Sequence, residues 1–186
     1  MSTEYFQMEP LGVGHSEVES FGSFYTRFCS AHSVTPAVMS RHVREWSIAT
    51  ANSFETPVRE LFNGDRGSPT GISDATEKFV AVLTAATGCQ SLMRTTLLAL
   101  KPAFTRNDNL VTWDRAWCPA CFNEHLTSST PPYERLLWSI PLVRRCHIHK
   151  VALETKCPAC GAKQPHHHRA IEIGRCVRCM ESLVPH

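Results

Sequence analysis

The sequence has no long apolar run and no export signal. No stretch of about 18 consecutive apolar residues occurs, and the first ten residues, MSTEYFQMEP, lack the basic segment and apolar stretch of a signal peptide. With 42% hydrophobic residues and a net charge of only +2 over 186 residues, the composition excludes a largely disordered chain. We therefore expect a globular, cytosolic protein that does not associate with membranes.

Motifs that carry catalysis are also missing from the sequence. It contains no P-loop, no G-x-G-x-x-G, no G-x-S-x-G, no H-E-x-x-H and no carboxylate cluster of the two-metal nuclease kind. The H-x-E and P-C-x-x-C pair of zinc deaminases does not occur at a plausible distance either. These absences predict that the protein is not an enzyme.

The first hundred residues predict helices. Ser20 is a typical N-cap before an aromatic stripe in residues 21–32, and Thr35-Pro36 opens a second helix. Two helices joined by a short turn resemble a helix-turn-helix, although many helical hairpins never bind DNA. On the second helix, Arg41 and Arg44 are candidates for phosphate contacts.

Further helices are predicted after residue 50. The segments are a short helix at 57–62, a helix that begins at Ser73-Asp74 with a capping box to Glu77 and ends at Gly88, and a helix at 90–100. Residues 102–112 are polar and mark a boundary. The predicted organisation is an extended lead-in (1–19), a helical, helix-turn-helix-like domain (20–105) and a double zinc-binding module (106–186). The fold class is thus mainly α with small zinc-stabilised β elements.

The nine cysteines favour metal binding over disulfides, because their number is odd, most lie in C-x-x-C pairs and no export signal is present. Cys29 and Cys89 lie outside the pairs among apolar neighbours, so we expect them in the core. The remaining thiols define two predicted zinc sites. Their ligands are Cys118, Cys121, Cys146 and His149 in the first, and Cys157, Cys160, Cys176 and Cys179 in the second.

Each site is assembled from ligand pairs separated by two residues. Cys118 and Cys121 are predicted to share a tight turn, and a helix at 132–140 is predicted between this pair and Cys146. His147 is a rival to His149 but directly follows Cys146, so its spacing is too short for a usual zinc knuckle. Fifteen residues separate the two pairs of the second site, and two short strands are expected among them, the second at 170–173. Four protein ligands leave no open position for water, which predicts two structural Zn²⁺ ions.

The charge distribution is uneven. Residues 1–100 carry seven Lys/Arg and ten Asp/Glu (net −3), whereas residues 101–186 carry twelve and seven (net +5). Seven thiolates bound to two Zn²⁺ ions would add −3 and leave the C-terminal part at about +2. The sequence therefore lacks the strong basic footprint typical of an autonomous DNA clamp.

Four segments, in order and spacing, resemble the TniQ family of transposition proteins over residues 10–183. They are PLGVGHSEVESFGSFYTRF, TGCQSLMRTTLLAL, WCPACFNE and YERLLWSIPLVRRCHIHKVALETKCPACG, of which the last is the most specific. The resemblance implies the same eight metal ligands, a bacterial, nucleoid-associated location, and a target-site selector that recruits an AAA+ ATPase of the TnsC type. TniQ proteins of CRISPR-associated transposons also attach to an RNA-guided effector, so guide RNA is a further implied partner.

Compared with longer members, the chain ends soon after the last ligand pair, which favours an adaptor that contacts DNA at least indirectly or a truncated protein. The alternatives are a stand-alone zinc-containing helix-turn-helix regulator and, less favoured, a zinc hydrolase. Monomer and dimer both stay open, as do the CRISPR effector and the particular ATPase. The candidate contact residues are Arg41, Arg44, Arg144, Arg145 and Lys150.

Overall fold

A computed structural model describes Tyr5 and residues 7–50, 68–104, 110–166 and 172–184. Within these ranges β structure is limited to isolated antiparallel bridges, and no helix there is long and apolar enough to span a membrane. The mainly helical class with small β elements is confirmed. The helices are α1 (Phe21–Ala31), α2 (Pro36–Ala49), α3 (Asp74–Thr87), α4 (Pro119–Thr127) and three short 3-10 helices, Leu92–Thr95, Leu98–Ala103 and Leu136–Ser139.

The first two helices begin where the sequence predicts. The Ser20 hydroxyl accepts a hydrogen bond from the backbone N–H of Ser23 at 3.2 Å, and the Thr35 hydroxyl accepts one from Val38 at 3.3 Å. Each cap satisfies an N–H group that has no partner within its helix. The connecting turn contains Ser33 at φ 57, a left-handed conformation that reverses the chain between α1 and α2.

Helix α3 also matches its predicted bounds, but its cap differs. Ser73 is the N-cap and accepts from the backbone N–H of Thr76 at 3.2 Å, so the predicted capping box of Asp74 and Glu77 is wrong. Both carboxylates instead contact the Lys101 ammonium, at 2.7 and 2.5 Å. Gly88, at φ 75, ends the helix as expected.

Two predicted α-helices are corrected to shorter 3-10 turns. In residues 90–100 the hydroxyls of Thr95 and Thr96 donate to backbone carbonyls three residues earlier, at 2.6 and 2.8 Å, and so favour tight turns over a continuous helix. In residues 132–140 only Leu136–Ser139 is helical, because the preceding backbone pairs with the chain near Glu19. The predicted helix at 57–62 lies outside the described residues.

An aromatic core joins α1, α2 and α3. Phe79 of α3 packs edge-on against Phe21 and Tyr25 of α1, with ring centroids 5.7 and 5.1 Å apart. The buried Tyr25 hydroxyl lies 2.6 Å from the Ser40 hydroxyl of α2, so the polar atom in this core is satisfied. Cys29 and Cys89 belong to the same core, as predicted, and burial raises the pKa of Cys29 to about 12.

The helical part and the cysteine-rich part are joined by a short antiparallel backbone pairing. Ser20 N–H donates to Glu134 O and Leu136 N–H donates to Val18 O, both at 2.8 Å, on either side of a bridge between Glu19 and Arg135. Residues 11–17 of the predicted lead-in form turns instead of an extended chain. The domain boundary near residue 105 stays a prediction, but this contact shows that the two parts pack together.

Candidate metal centres

Three of the four ligand pairs lie on hairpin turns of the same design. In each turn the first cysteine donates its N–H across the hairpin and accepts an N–H at its carbonyl from the residue four positions later. That later residue has a positive φ: 58° at Lys150, 69° at Gly161 and 60° at Met180. The turns, which we call knuckles, span 146–150, 157–161 and 176–180, and bridges flank them. This geometry turns both side chains of a C-x-x-C or C-x-x-H pair towards one point.

The pair Cys118 and Cys121 is held differently. Cys118 is the N-cap of α4 and Pro119 is its first residue, so the predicted tight turn is in fact the first turn of a helix. The backbone N–H of Cys121 points towards Cys118 Sγ at 3.5 Å. The positive end of the helix dipole favours a thiolate at this position.

The first cluster brings together the four residues predicted for it, Cys118, Cys121, Cys146 and His149, with all ligand atoms within 4.8 Å of one another. Cys121 Sγ lies 3.6 Å from Cys146 Sγ, and the Nδ1 atom of His149 lies 3.2 to 3.7 Å from the three sulfurs. A tetrahedron with metal–sulfur bonds of about 2.3 Å has sulfur–sulfur edges of about 3.8 Å. The cluster therefore fits one tetrahedral ion.

The structure distinguishes the two histidines that compete for this cluster. His149 directs Nδ1 into the cluster, while its Nε2 lies 2.9 Å from Glu124 Oε1 on α4. A carboxylate on the outer nitrogen fixes the ring orientation of a metal-bound histidine. His147 points elsewhere, with its Nε2 2.7 Å from Glu17 Oε1. Its ring is therefore engaged outside the cluster.

The second cluster brings together Cys157, Cys160, Cys176 and Cys179, again within 4.8 Å. The separations from Cys157 to Cys179 and from Cys160 to Cys176 are both 3.7 Å, close to the tetrahedral edge for bound sulfur. Gln164 Nε2 and the N–H of Arg178 both donate to Cys176 Sγ at 3.4 Å. Such donors stabilise a thiolate and orient it towards an ion.

In two of the knuckles, backbone N–H groups lower the pKa of the first cysteine, whereas burial acts to raise the pKa of the thiols. Burial acts to raise the pKa of Cys146, but backbone N–H groups of His149 and Ile148 outweigh it and bring the pKa to about 6. Cys176 likewise has its pKa brought to about 6 by N–H groups of Cys179 and Arg178. Burial raises the pKa of Cys118 and Cys121. These buried thiols need a cation beside them to ionise near neutral pH.

Buried residues beside the first cluster connect it to the rest of the core. Phe122 lies between Trp117 and Trp138, with ring centroids 6.4 and 6.0 Å away. Arg135 stacks its guanidinium over the Trp138 ring at 5.2 Å and places Nη1 3.9 Å from Cys146 Sγ. A positive charge at this distance partly balances the negative charge of three thiolates.

The five candidate contact residues are all exposed and are divided between two elements. Arg41 and Arg44 lie on α2, whereas Arg144, Arg145 and Lys150 lie on the hairpin of the first cluster. The structure does not unite them in one site. Trp113, which precedes the first ligand pair, is 68% exposed. Of the histidine run at 166–168, only His166 is described, and its Nε2 lies 2.8 Å from Thr112 O.

Sequence reasoning missed the residues that support the ligands. Glu124 is three residues after Cys121 and so on the same side of α4, a spacing that could have indicated it once the helix was recognised. Gln164 and Arg135 carried no signal, because their positions depend on how distant segments pack. The expected strand at 170–173 falls partly outside the described residues.

A family model described as TniQ matches residues 10–153. The matched range contains α1 to α4 and the whole first cluster, whereas the second cluster follows it. A search of curated proteins returned no match.

Proposed function

The chain belongs to the TniQ family, and from this premise we propose that it is a non-catalytic target-selection adaptor in DNA transposition. In this role it links a target-recognition complex to an AAA+ regulator of the TnsC type. The observation that carries the proposal is the family match over residues 10–153. We propose that the target-recognition complex for this chain is a CRISPR RNA-guided effector.

We propose that the two clusters hold structural Zn²⁺ ions. Seven sulfurs and one imidazole nitrogen, at tetrahedral separations, form the donor sets that zinc prefers. With four protein ligands in each set there is no position left for water or substrate, so the ions would supply folding energy and no chemistry. This supports an adaptor over the zinc hydrolase alternative.

For the contact surface we propose the hairpin of the first cluster. Arg144, Arg145 and Lys150 are exposed there, and Ile148 at the tip of the knuckle is exposed as well. A rigid turn fixed by metal coordination presents these side chains with little loss of backbone entropy on binding. The mixture of cationic and apolar groups suits an acidic protein surface or a nucleic-acid backbone beside it.

A pull-down with a purified AAA+ regulator of the TnsC type tests the proposal. We expect the chain to be retained on DNA together with the regulator in an ATP state, and expect Arg144→Ala with Arg145→Ala to weaken retention at least tenfold. Arg175→Ala with Arg178→Ala is the matched control, since it removes two cations from a hairpin of the second cluster, one from the knuckle 176–180 and one from its flanking bridge. Absence of association in every nucleotide state would rule out the adaptor role.

The stand-alone regulator is the second candidate, and exposed Arg41 and Arg44 on α2 favour it. A DNA reader of this kind should bind a short duplex tightly, in a sequence-dependent way and with a steep dependence on salt. Under the adaptor proposal we expect weak binding that is independent of sequence. A duplex titration at 50 and at about 200 mM salt separates the two outcomes.

A further inference from the structure

A small cavity of about 20 Å³ lies at the junction of the helical and cysteine-rich parts. Ser20 and Gly22 at the start of α1 form one side, and Thr70 lies beside them. Arg115, Arg135 and Trp138 line the other side. The cavity therefore adjoins the backbone pairing that holds the two parts together.

Three buried donors on the lining side chains have no hydrogen-bond partner among the described residues. They are Arg115 Nη1, Arg135 Nε and Trp138 Nε1, on side chains that belong to residues exposed by only 3%, 5% and 1%. A buried donor left without an acceptor costs about 1–3 kcal/mol, and more if it is charged. Three such donors around one cavity are an unusual concentration in a native fold.

The two guanidinium groups that line the cavity have different charged neighbours. Arg115 is paired with Glu134, whose Oε1 lies 2.8 Å from Nε and 2.5 Å from Nη2. Arg135 has no carboxylate within ion-pair distance among the described residues, and its Nη1 lies 3.9 Å from the sulfur of the candidate ligand Cys146. An acceptor in the cavity would satisfy the donors, and an anion would also contribute negative charge.

We propose that this cavity is a binding site for a small hydrogen-bond acceptor, either an ordered water molecule or a halide-sized anion. Its volume exceeds the roughly 10–15 Å³ that one water needs. The bound acceptor bridges Arg115, Arg135 and Trp138 and so fastens the first cluster to the N-terminus of α1. The inference rests on the described side chains and does not depend on the proposed function.

A crystal structure of the full chain grown with sodium bromide and, in parallel, with sodium sulfate tests the site. An anomalous bromide peak within about 3.5 Å of the three donors identifies an anion, and density in both crystals without an anomalous signal identifies water. Either result supports the proposal. A cavity without density, or one filled by a side chain from residues 167–171, overturns it.

Thermal denaturation in solution distinguishes a specifically bound acceptor from an adventitious ion. The direction in which a variant of the cavity lining shifts the denaturation midpoint decides between them. Ala116 also lines the cavity, and Ala116→Val adds two methyl groups that occupy space. If an acceptor is bound, the valine displaces it, leaves the donors unpaired and lowers the denaturation midpoint by several degrees. If the cavity is dry, the added methyl groups fill a void and the midpoint stays or rises.

Ala116→Ser is the matched control for this variant. Its hydroxyl is smaller than the valine side chain and can itself accept a hydrogen bond from the lining donors. We expect a midpoint within about 1–2 °C of the parent protein, since the change is small and keeps an acceptor beside the donors. If the denaturation midpoint of Ala116→Val is equal to or higher than that of Ala116→Ser, the cavity does not hold a bound acceptor.

Discussion

The two parts of this molecule build their interiors from different materials. The helical part packs phenylalanine and tyrosine rings from α1 and α3 against α2, and these helices are capped in the ordinary way. The core of the cysteine-rich part is composed largely of candidate ligands, with Trp117, Phe122 and Trp138 as its large members. Because short turns and isolated bridges bury little apolar area, we expect the stability of this second part to depend on metal coordination, whereas the first part depends on ring packing.

Metal removal should produce the largest difference in stability between the two parts. Treatment with a strong zinc chelator removes on the order of 10 kcal/mol of binding free energy per site, so we expect residues 113–166 and 172–184 to lose their structure. The aromatic core of α1 to α3 has no metal ligand and should persist. Hydrogen exchange read segment by segment measures this. If both parts lose protection from hydrogen exchange equally, the stability of the helical part also depends on the metal.

Phe79→Ala should act in the opposite part. Phe79 is fully buried between two rings of α1, so its truncation should cost about 3–5 kcal/mol and loosen the helical part while metal content is unchanged. Denaturant unfolding with a metal assay measures both effects. Phe122→Ala is the matched comparison, because Phe122 is similarly buried beside the first cluster. A larger loss of unfolding free energy from Phe122→Ala than from Phe79→Ala would show that the cysteine-rich part depends on ring packing more than the helical part does.

The junction between the parts should be sensitive to Glu19. This fully buried carboxylate accepts hydrogen bonds from Ser23 Oγ and Leu11 N and forms an ion pair with Arg27 at 2.6 Å. Glu19→Gln removes the charge opposite a largely buried guanidinium, which should cost about 3 kcal/mol in unfolding free energy. Glu77→Gln is the control, since its pair with Lys101 is exposed and should be worth less than about 1 kcal/mol. Equal effects of both variants would show that burial at the junction adds nothing.

The smallest effect is expected in the knuckles. Gly161→Ala places a Cβ at φ 69 with no other heavy atom within 4 Å, so its cost should be backbone strain alone, about 1 kcal/mol. Lys150 occupies the same position of the first cluster's knuckle at φ 58, and Lys150→Gly should relieve a similar strain and raise the melting midpoint. Thermal unfolding of both variants measures the pair. Shifts of the same sign would contradict a shared knuckle design.

The sequence predicted several helix ends correctly, although the capping box of Asp74 and Glu77 was wrong. These helix ends depend on neighbours within four residues. The predicted N-caps Ser20 and Thr35 and the predicted end of α3 at Gly88 were right. The two ligand sets that the spacing predicted are the two clusters that the structure brings together. Whether these eight residues bind zinc stays a prediction.

Features decided by distant contacts were not accessible from the sequence. Residues 132–140 have helical periodicity, but hydrogen bonds to Val18 and Ser20 hold their backbone extended before Leu136. Residues 90–100 form two 3-10 turns, and at the junction between them the Leu97 N–H donates to the distant Thr70 carbonyl at 2.8 Å. The buried donors around the junction cavity arise only when Arg115 and Arg135 meet in the folded chain.

Native mass spectrometry on protein purified without added metal counts the ions that each chain holds. We expect two zinc ions per chain in the parent protein and one in Cys176→Ser, with the first cluster still loaded. One ion or none in the parent protein would contradict the account of two four-ligand centres.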